Sequence, residues 1–333
     1  MHCRQMVLSL LVAVVVVSGS VLRPGTVRAQ SQADPYPSRP VTIVSPNAPG
    51  GSLELDGRYW GQRLSESWGR PFILDFRAGA GGLIGTNFVA KAAPDGYTLL
   101  VISGSYTVTA VMHKDLPYDP IKDFSPVSQL ISRPAVLVVS AALPIHNYSE
   151  YVNYARAYPG KLNFGTSGVG GIHHLTGGWL HSLSNTKVTF IHYKGTGPQT
   201  ADLLAGRGHV GISSVTLAKV HLKTGKTRAI AVMSAERTSH FPGMQTLVEQ
   251  GLSDFKYSTW TGFLAPGATP TAIVAKLGAE IGRHAKDTAI IENLATDGTI
   301  AVGSSPADFR QTIVTEINRW RKIAEDLDLS AQN

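Results

Sequence analysis

Short apolar runs rich in β-branched residues alternate with longer amphipathic segments along most of the chain. The first part predicts strands at 41–45, 72–76 and 97–102, with helices at about 52–68 and 83–92 between them. The rhythm resumes with strands at 135–139, 162–164, 188–191, 210–212 and 228–232 and with helices at about 149–158, 171–183 and 197–205. Continuous apolar strands that alternate with helices predict an α/β fold whose parallel sheets are covered on both faces.

The last third of the chain predicts two amphipathic helices. Pro270 opens the first, which runs to about residue 286, and Pro306 opens the second, which runs to about residue 327. Apolar residues recur at helical spacing in both, at Ile273, Leu277 and Ile281 and at Phe309, Ile313, Ile317, Trp320 and Ile323. Such apolar faces must pack against a sheet, and we expect both helices to pack against the sheet of the first part of the chain. We therefore predict two lobes, a first one formed by residues 34–133 together with 257–333 and a second one formed by residues 134–256.

The N-terminus has the features of a secretory signal. Arg4 precedes an apolar run from Val7 to Val17, and Val27-Arg28-Ala29 resembles a small-residue cleavage site. The apolar run is shorter than the roughly 20 residues of a transmembrane helix, which favours a signal over a membrane span. We interpret residues 1–29 as a signal peptide, so we expect an exported, soluble mature protein that begins near Gln30.

Composition and charge narrow the classes of partner. Of the 333 residues, 43% are hydrophobic and 16% are charged, which is ample for a buried core. The net charge of +7 falls to +4 without the three arginines of residues 1–29, and the basic residues are scattered, so no nucleic-acid partner is predicted. Cys3 is the only cysteine and lies in the predicted signal. A mature chain without thiols can form neither a disulfide nor a thiolate metal site, and we expect no metal and no cofactor.

The candidate chemistry lies in the turns that follow strands. In open α/β sheets, ligands bind outside the carboxyl ends of strands, where helix N-termini present unpaired N–H groups and a partial positive charge. Four such turns are rich in glycine and hydroxyl side chains: 44–52, with Ser52 placed to cap the following helix, then 103–105, 165–171 and 193–197. Because the four turns fall in both predicted lobes, they favour a shared anion-binding cleft.

Eight short motifs resemble those of one family of proteins. They are Tyr36-Pro37-Ser38-Arg39-Pro40-Val41, Pro46-Asn47-Ala48-Pro49-Gly50-Gly51 with Arg58 downstream, Gly79-Ala80-Gly81-Gly82-Leu83-Ile84-Gly85, Ala93-Pro94-Asp95-Gly96-Tyr97-Thr98-Leu99-Leu100, Tyr118-Asp119-Pro120-Ile121-Lys122-Asp123-Phe124, Pro159-Gly160-Lys161-Leu162, His192-Tyr193-Lys194-Gly195 and Gly225-Lys226-Thr227-Arg228-Ala229. Their number and order make the chain similar to the periplasmic solute receptors of tripartite tricarboxylate transporters, also called the Bug family. The resemblance covers essentially the whole mature chain.

This resemblance implies a two-lobed Venus-flytrap receptor that closes on organic acids and delivers them to a membrane permease. It implies a periplasmic protein, expected to be a monomer, that catalyses no reaction. One carboxylate would be held by backbone N–H and hydroxyl groups of the turns in both lobes. Carried over by position, these groups belong to Ala48, Gly50, Gly51, Ser52, Thr166, Ser167, Gly168, Tyr193, Gly195 and Thr196.

Five further residues complete the predicted ligand-binding set. Glu54 stands where the family usually has an aspartate three residues after the paired glycines, and Ser213 lies where relatives often have an acidic residue nearby. Ser103 and Ser105 belong to the third-strand turn, and His173 follows the glycine-rich turn of the second lobe. These departures from the family pattern leave the fold unaffected and bear on the identity of the ligand.

Other functions lack the residues that they require. Thr224-Gly225-Lys226-Thr227 resembles the end of a phosphate-binding loop, but Val220 stands where that motif requires glycine. His174 and His181 are about 10 Å apart along a helix, too far to share one metal ion. Ser167 does not have the spacing of a hydrolase nucleophile elbow. Three hypotheses remain: a transport receptor, a sensor subunit with the same fold and cleft, and an enzyme that uses that cleft.

Overall fold

A computed structural model describes residues 36–329, so the predicted signal peptide and Cys3 lie outside the described residues. Within them, no helix is both long and apolar enough to cross a membrane. The strands are β1 (Val41–Ser45), β2 (Phe72–Phe76), β3 (Thr98–Ser103), β4 (Phe124–Ser140), β5 (Asn163–Thr166), β6 (Thr189–His192), β7 (Val210–Ser214), β8 (Thr227–Val232), β9 (Ser258–Pro266) and β10 (Ile300–Ala301). The α-helices are α1 (Ser52–Trp68), α2 (Leu83–Ala90), α3 (Ser105–Met112), α4 (Tyr148–Ala157), α5 (Ile172–Ser184), α6 (Thr196–Leu204), α7 (Val215–Leu222), α8 (Thr271–His284), α9 (Thr288–Ala295) and α10 (Pro306–Asp326).

The strands form one mixed sheet in the order β2-β1-β3-β9-β4-β7-β5-β6, with β8 and β10 also paired to β4. The prediction of an α/β fold is confirmed, but the prediction of purely parallel sheets is wrong. The strands β1, β2 and β3 pair in parallel, as do β5, β6 and β7. In contrast, β9 runs antiparallel to β3 and β4, and β4 runs antiparallel to β7 and β8.

The strand β4 joins two regions of this sheet. Its residues 124–134 pair with β9, and its residues 135–140 pair with β7 and β8. We call the strands on the β9 side the first sheet region and those on the β7 side the second sheet region. The sequence predicted only 135–139 of this strand, because Pro126 and Pro134 interrupt the apolar run with residues that cannot donate a ladder hydrogen bond. Pro126 lies beside a register shift, which accommodates the missing donor.

The predicted C-terminal helices form, but they pack differently from each other. In α8, Leu277 and Ile281 are buried in the core of the first sheet region, as predicted. The predicted Ile273 is only partly buried, and Val274 beside it is buried instead. In α10, the first half packs in the first region through residues such as Phe309. The second half instead joins the core of the second region, where Trp320 lies edge-on to Trp179 with ring centroids 6.0 Å apart. A helix of 21 residues is about 30 Å long, which is enough to reach both regions.

Candidate functional site

The turn between β1 and α1 already holds a carboxylate of its own. The side chain of Glu54 turns back so that Oε2 accepts the backbone N–H of Gly50 at 2.7 Å, while Oε1 accepts Nε–H of Arg58 at 2.8 Å. The hydrogen bond from Gly50, followed by the one from Arg58, lowers the pKa of Glu54. Glu54 therefore accepts the N–H of Gly50, which is one of the donors predicted to bind a ligand. Gly50 adopts a left-handed φ of 96° in this turn.

The predicted helix cap at Ser52 is wrong. Gly51 is the N-cap of α1, with an extended backbone, and its carbonyl accepts the N–H of Glu54 at 3.1 Å. Ser52 is the first helical residue, so its hydroxyl makes no cap bond and is exposed, as is Ala48. The cap lies one residue earlier than predicted, because Gly51 keeps the extended backbone of an N-cap and the helix already begins at Ser52. As a consequence, the hydroxyl of Ser52 is available to a ligand.

In the second sheet region, the turns after β5 and β6 are bonded to each other. The backbone N–H of Tyr193 donates to Thr166 O at 3.0 Å, and that of Gly195 donates to Ser167 O at 3.3 Å. The hydroxyl of Thr166 is fully buried, 2.8 Å from Nδ1 of His192, and it lies 3.2 Å from Gly168 O. The hydroxyl of Tyr193 donates to Asp202 at 3.0 Å. These two hydroxyls hold the turns in shape rather than point outward.

The remaining predicted residues of this region differ in how far they are exposed to solvent. Thr196 begins α6 and is exposed, and Ser167 is partly exposed. Ser213 lies near the end of β7, and its hydroxyl contacts the carbonyl of Ser214 at 3.2 Å. His173 Nδ1 is buried without a hydrogen-bond partner among the described residues, and burial lowers the pKa of His173 to about 4. The imidazole is therefore neutral near pH 7.

A cavity of about 370 Å³ lies between the two sheet regions. Of the predicted residues, Ser52, Ser103 and Ser105 line it, and Ile172 and Ser214 line it from the second region. Ser52, Ser105 and Ile172 are the first residues of α1, α3 and α5, and Ser214 is the N-cap of α7. Four helix N-termini thus meet at one cavity, and each carries unpaired N–H groups and a partial positive charge. The predicted residues outside its lining are Ala48, Gly50, Gly51, Glu54, Thr166, Ser167, Gly168, His173, Tyr193, Gly195, Thr196 and Ser213.

Two charged residues on this cavity, Arg133 and Glu316, were missed by the sequence analysis. Arg133 lines the cavity, but its guanidinium binds both carboxylate oxygens of Asp56, at 2.7 and 2.9 Å. Asp56 is buried and also accepts the hydroxyl of Thr261 at 2.6 Å. Glu316 of α10 also lines the cavity. In the sequence, position 133 is only the predicted end of the first segment of the first lobe, and nothing in the local pattern relates Arg133 to Asp56, 77 residues away.

The donors on the cavity are helix N-termini and serine and threonine hydroxyls, which suit a small anion. Among residues 36–329, no group of three or more histidine, cysteine, aspartate or glutamate side chains is placed to hold a metal ion.

Buried histidines make stability depend on pH. Nδ1 of His181 lies 2.5 Å from Gly177 O, which can only accept, so Nε2 accepts the hydroxyl of Tyr151. Burial lowers the pKa of His181 to about 4, below its ordinary value of 6.5. As the pH falls, the unfolded chain takes up a proton at this histidine before the folded chain does. The free energy of unfolding therefore keeps its full value above about pH 6.5 and falls as the pH drops toward 4. The loss approaches about 3 kcal/mol for this histidine.

Denaturant unfolding at a series of pH values measures this effect. In His181→Gln, the free energy of unfolding should fall less steeply between pH 6.5 and 4 than in the wild type. In His146→Gln, where the substitution is at an exposed position, it should fall as steeply as in the wild type. Equal slopes in all three proteins would contradict the assignment.

Comparisons with known proteins agree with this architecture. The profile described as "Tripartite tricarboxylate transporter family receptor" matches residues 58–329. Protein BugT of Bordetella pertussis is 33% identical over 312 residues, which cover 93% of this chain and 96% of that protein.

Two solved structures of similar chains contain small acids. The R. palustris protein Rpa4515, solved with adipate, is 32% identical with a TM-score of 0.72, and the match covers 87% of this chain and 97% of that one. MatC from Rhodopseudomonas palustris, solved with bound malate, is 30% identical with a TM-score of 0.68, covering 86% and 99%. The match to the family profile and to BugT over most of the chain shows that this protein belongs to the tripartite tricarboxylate transporter receptors, the Bug family of two-lobed solute-binding proteins.

Proposed function

We propose that this protein captures a small organic carboxylate between its two lobes and delivers it to the membrane permease of a tripartite transporter. The observation that carries the proposal is the convergence of four helix N-termini on one cavity, with α1 and α3 from the first sheet region and α5 and α7 from the second. An anion in this cavity would receive N–H groups from both regions at once. The protein would be exported to the periplasm and would act as a monomer.

The relatives support the class of ligand. Adipate and malate, found with two similar proteins, are both small organic acids. A cavity of about 370 Å³ is within the range of small-molecule sites and suits a ligand of this size. The family consists of receptors rather than enzymes, and we propose that the bound acid leaves chemically unchanged. Mass spectrometry of an acid recovered after incubation with pure protein tests this, and a modified product would overturn the receptor role.

The proposed lobes are 34–133 with 257–333, and 134–256. Supporting this division, β4 changes partners from β9 to β7 and β8 between Pro134 and Ala135. The turns at 165–171 and 193–197 follow β5 and β6, which are parallel and lie beside β7 in the sheet. Since β7 leads to Ser214 on the cavity, these turns lie at the same edge, and closure of the lobes would move Ser167 and Thr196 toward a ligand.

Removing one hydroxyl from either lobe is expected to weaken binding without abolishing it. A hydrogen bond to a charged group contributes about 1.5–3 kcal/mol, so Ser52→Ala and Thr196→Ala should each lower affinity roughly ten- to a hundredfold. Titration calorimetry with the acid that gives the largest thermal shift in a panel containing adipate and malate measures the change.

Ser149→Ala, an exposed serine on α4, serves as the matched control and should bind as tightly as the wild type. If Ser52→Ala weakens binding while Thr196→Ala has no effect, the ligand belongs to one lobe and the shared cleft is wrong.

A further inference from the structure

A polar contact between the two sheet regions lies beside the cavity. Residues 295–298, which join α9 to β10, belong to the first sheet region, because β10 pairs with the first half of β4. In the second sheet region, the start of α7 and the loop after β8 face them. The hydroxyl of Thr216 donates to Asp297 O at 2.5 Å, and Nε2 of His240 lies 3.0 Å from Ala295 O. We call this contact the latch.

The donors and acceptors of the latch are matched. Ala295 O can only accept, so Nε2 of His240 carries a hydrogen and Nδ1 is left as an acceptor. The ammonium of Lys219 of α7 lies 3.0 Å from Nδ1 and donates to it. Gly298 is buried in the same contact, since a Cβ on it would lie 3.0 Å from the His240 ring and 3.3 Å from Val215. Hydrogen bonds and close packing thus hold the two regions together at this point.

The latch differs from the contact that α10 makes with the second sheet region. Trp320 and Ile323 of α10 are buried in the core of that region, so separating them from it would expose apolar surface to water. In contrast, Thr216, Lys219 and Asp297 are exposed. Exposed groups can exchange a hydrogen bond with each other for bonds to water at small net cost, so the latch can open while the α10 contact stays packed.

Both sides of the latch lie close to groups that line the binding cavity. Ser214, the N-cap of α7, lines the cavity two residues before Thr216. On the other side, β10 pairs with Ser132, the chain neighbour of Arg133 on the cavity. Separating Thr216 from Asp297 would therefore move the second-region wall of the cavity away from its first-region wall.

We propose that the latch holds the cleft closed and must open before an acid can enter or leave. This inference rests on the proposed function, in which the ligand lies between two lobes. No residue of the latch lines the cavity, so the latch stabilises the closed arrangement with or without an acid in it. Loss of the latch should therefore speed the release of a bound acid, and a latch that cannot open should slow its entry.

The first test removes the latch. Thr216→Val with His240→Phe deletes both donors to residues 295–298, and stopped-flow fluorescence follows the release of adipate or malate. Losing two hydrogen bonds between partly exposed groups should make release about tenfold faster than in the wild type. The matched control is Thr224→Val, since the hydroxyl of Thr224 also donates to a carbonyl, His221 O at 2.6 Å, but within the second region. This control should release the acid at the wild-type rate.

The second test holds the latch closed with a covalent bridge. The chain from Gln30 onward contains no cysteine, so Thr216→Cys with Asp297→Cys supplies its only two thiols, at exposed positions. The short reagent 1,2-ethanediyl bismethanethiosulfonate bridges them, and dithiothreitol removes the bridge. The bridged protein should bind the acid at least about a hundredfold more slowly than the same protein after reduction. Thr216→Cys alone, treated with the same reagent, should bind as fast as the untreated protein.

Two results would overturn the latch and leave the receptor proposal standing: a wild-type release rate in Thr216→Val with His240→Phe, or equally fast entry with and without the bridge. If neither acid binds the wild type, the proposed class of ligand fails instead, and small-angle scattering tests the latch without a ligand. The double variant should then have a larger radius of gyration than the wild type and Thr224→Val, and equal radii would overturn the latch. If the double variant does not fold, the bridged and reduced proteins are compared in its place.

Discussion

Replacing Arg133 by methionine is expected to lower the free energy of unfolding by about 3–5 kcal/mol. Asp56 is 4% exposed, and its carboxylate depends on two guanidinium nitrogens of Arg133 and on the hydroxyl of Thr261. Without the guanidinium, a buried charge loses its partner, and a lost partner costs far more than the net contribution of the intact pair. The three residues belong to α1, β4 and β9, so the damage falls on the strands that adjoin the cavity.

Two further variants make this prediction specific. In Asp56→Leu with Arg133→Met, both charges are gone, and most of the lost stability should return. Arg39→Met removes an ion pair with Asp95 whose side chains are 60% and 41% exposed, and it should change stability by less than about 1 kcal/mol. Urea unfolding of the four proteins measures these differences. Finding Arg133→Met within about 1 kcal/mol of the wild type would contradict the ion-pair argument.

Filling the cavity from Gly104 is expected to abolish ligand binding while the fold survives. Gly104 lines the cavity with an ordinary helical backbone, φ −52° and ψ −21°, that leucine can adopt. A Cβ at this position would meet only the ring of Trp260, at 3.6 Å, which is normal van der Waals contact. The rest of a leucine side chain would take up space that the ligand needs. Gly104→Leu should therefore lower affinity by at least about a hundredfold, or about 2.7 kcal/mol.

The control for this variant is Gly243→Leu, since a Cβ at Gly243 has no neighbour within 4 Å. Both variants should melt within a few degrees of the wild type, and only Gly104→Leu should fail to respond to the acid that stabilises the wild type. Normal affinity in a folded Gly104→Leu protein would show that the ligand binds elsewhere.

The sequence by itself determined most of the elements of this protein. The predicted boundaries of β1, α1 and β2 agree with the structure, because a strand or an amphipathic helix is encoded by apolar residues a few positions apart. The glycine-rich turns could also be identified from the sequence. The turns after β1 and β3 contribute Ser52, Ser103 and Ser105 to the cavity. The family was recognisable for the same reason, since its motifs are short and lie in these turns.

Only the tertiary structure decided which distant polar side chains meet. Asp56 and Arg133 are 77 residues apart, and Thr107 and Glu316 are 209 apart, so no local periodicity relates either pair. The antiparallel course of β9 places Thr261 beside Asp56, and the length of α10 places Glu316 on the cavity. Hydrophobic patterning specifies which face of an element is buried. Which polar groups share that burial depends on how distant segments cross, and on the cost of leaving a buried charge without a partner.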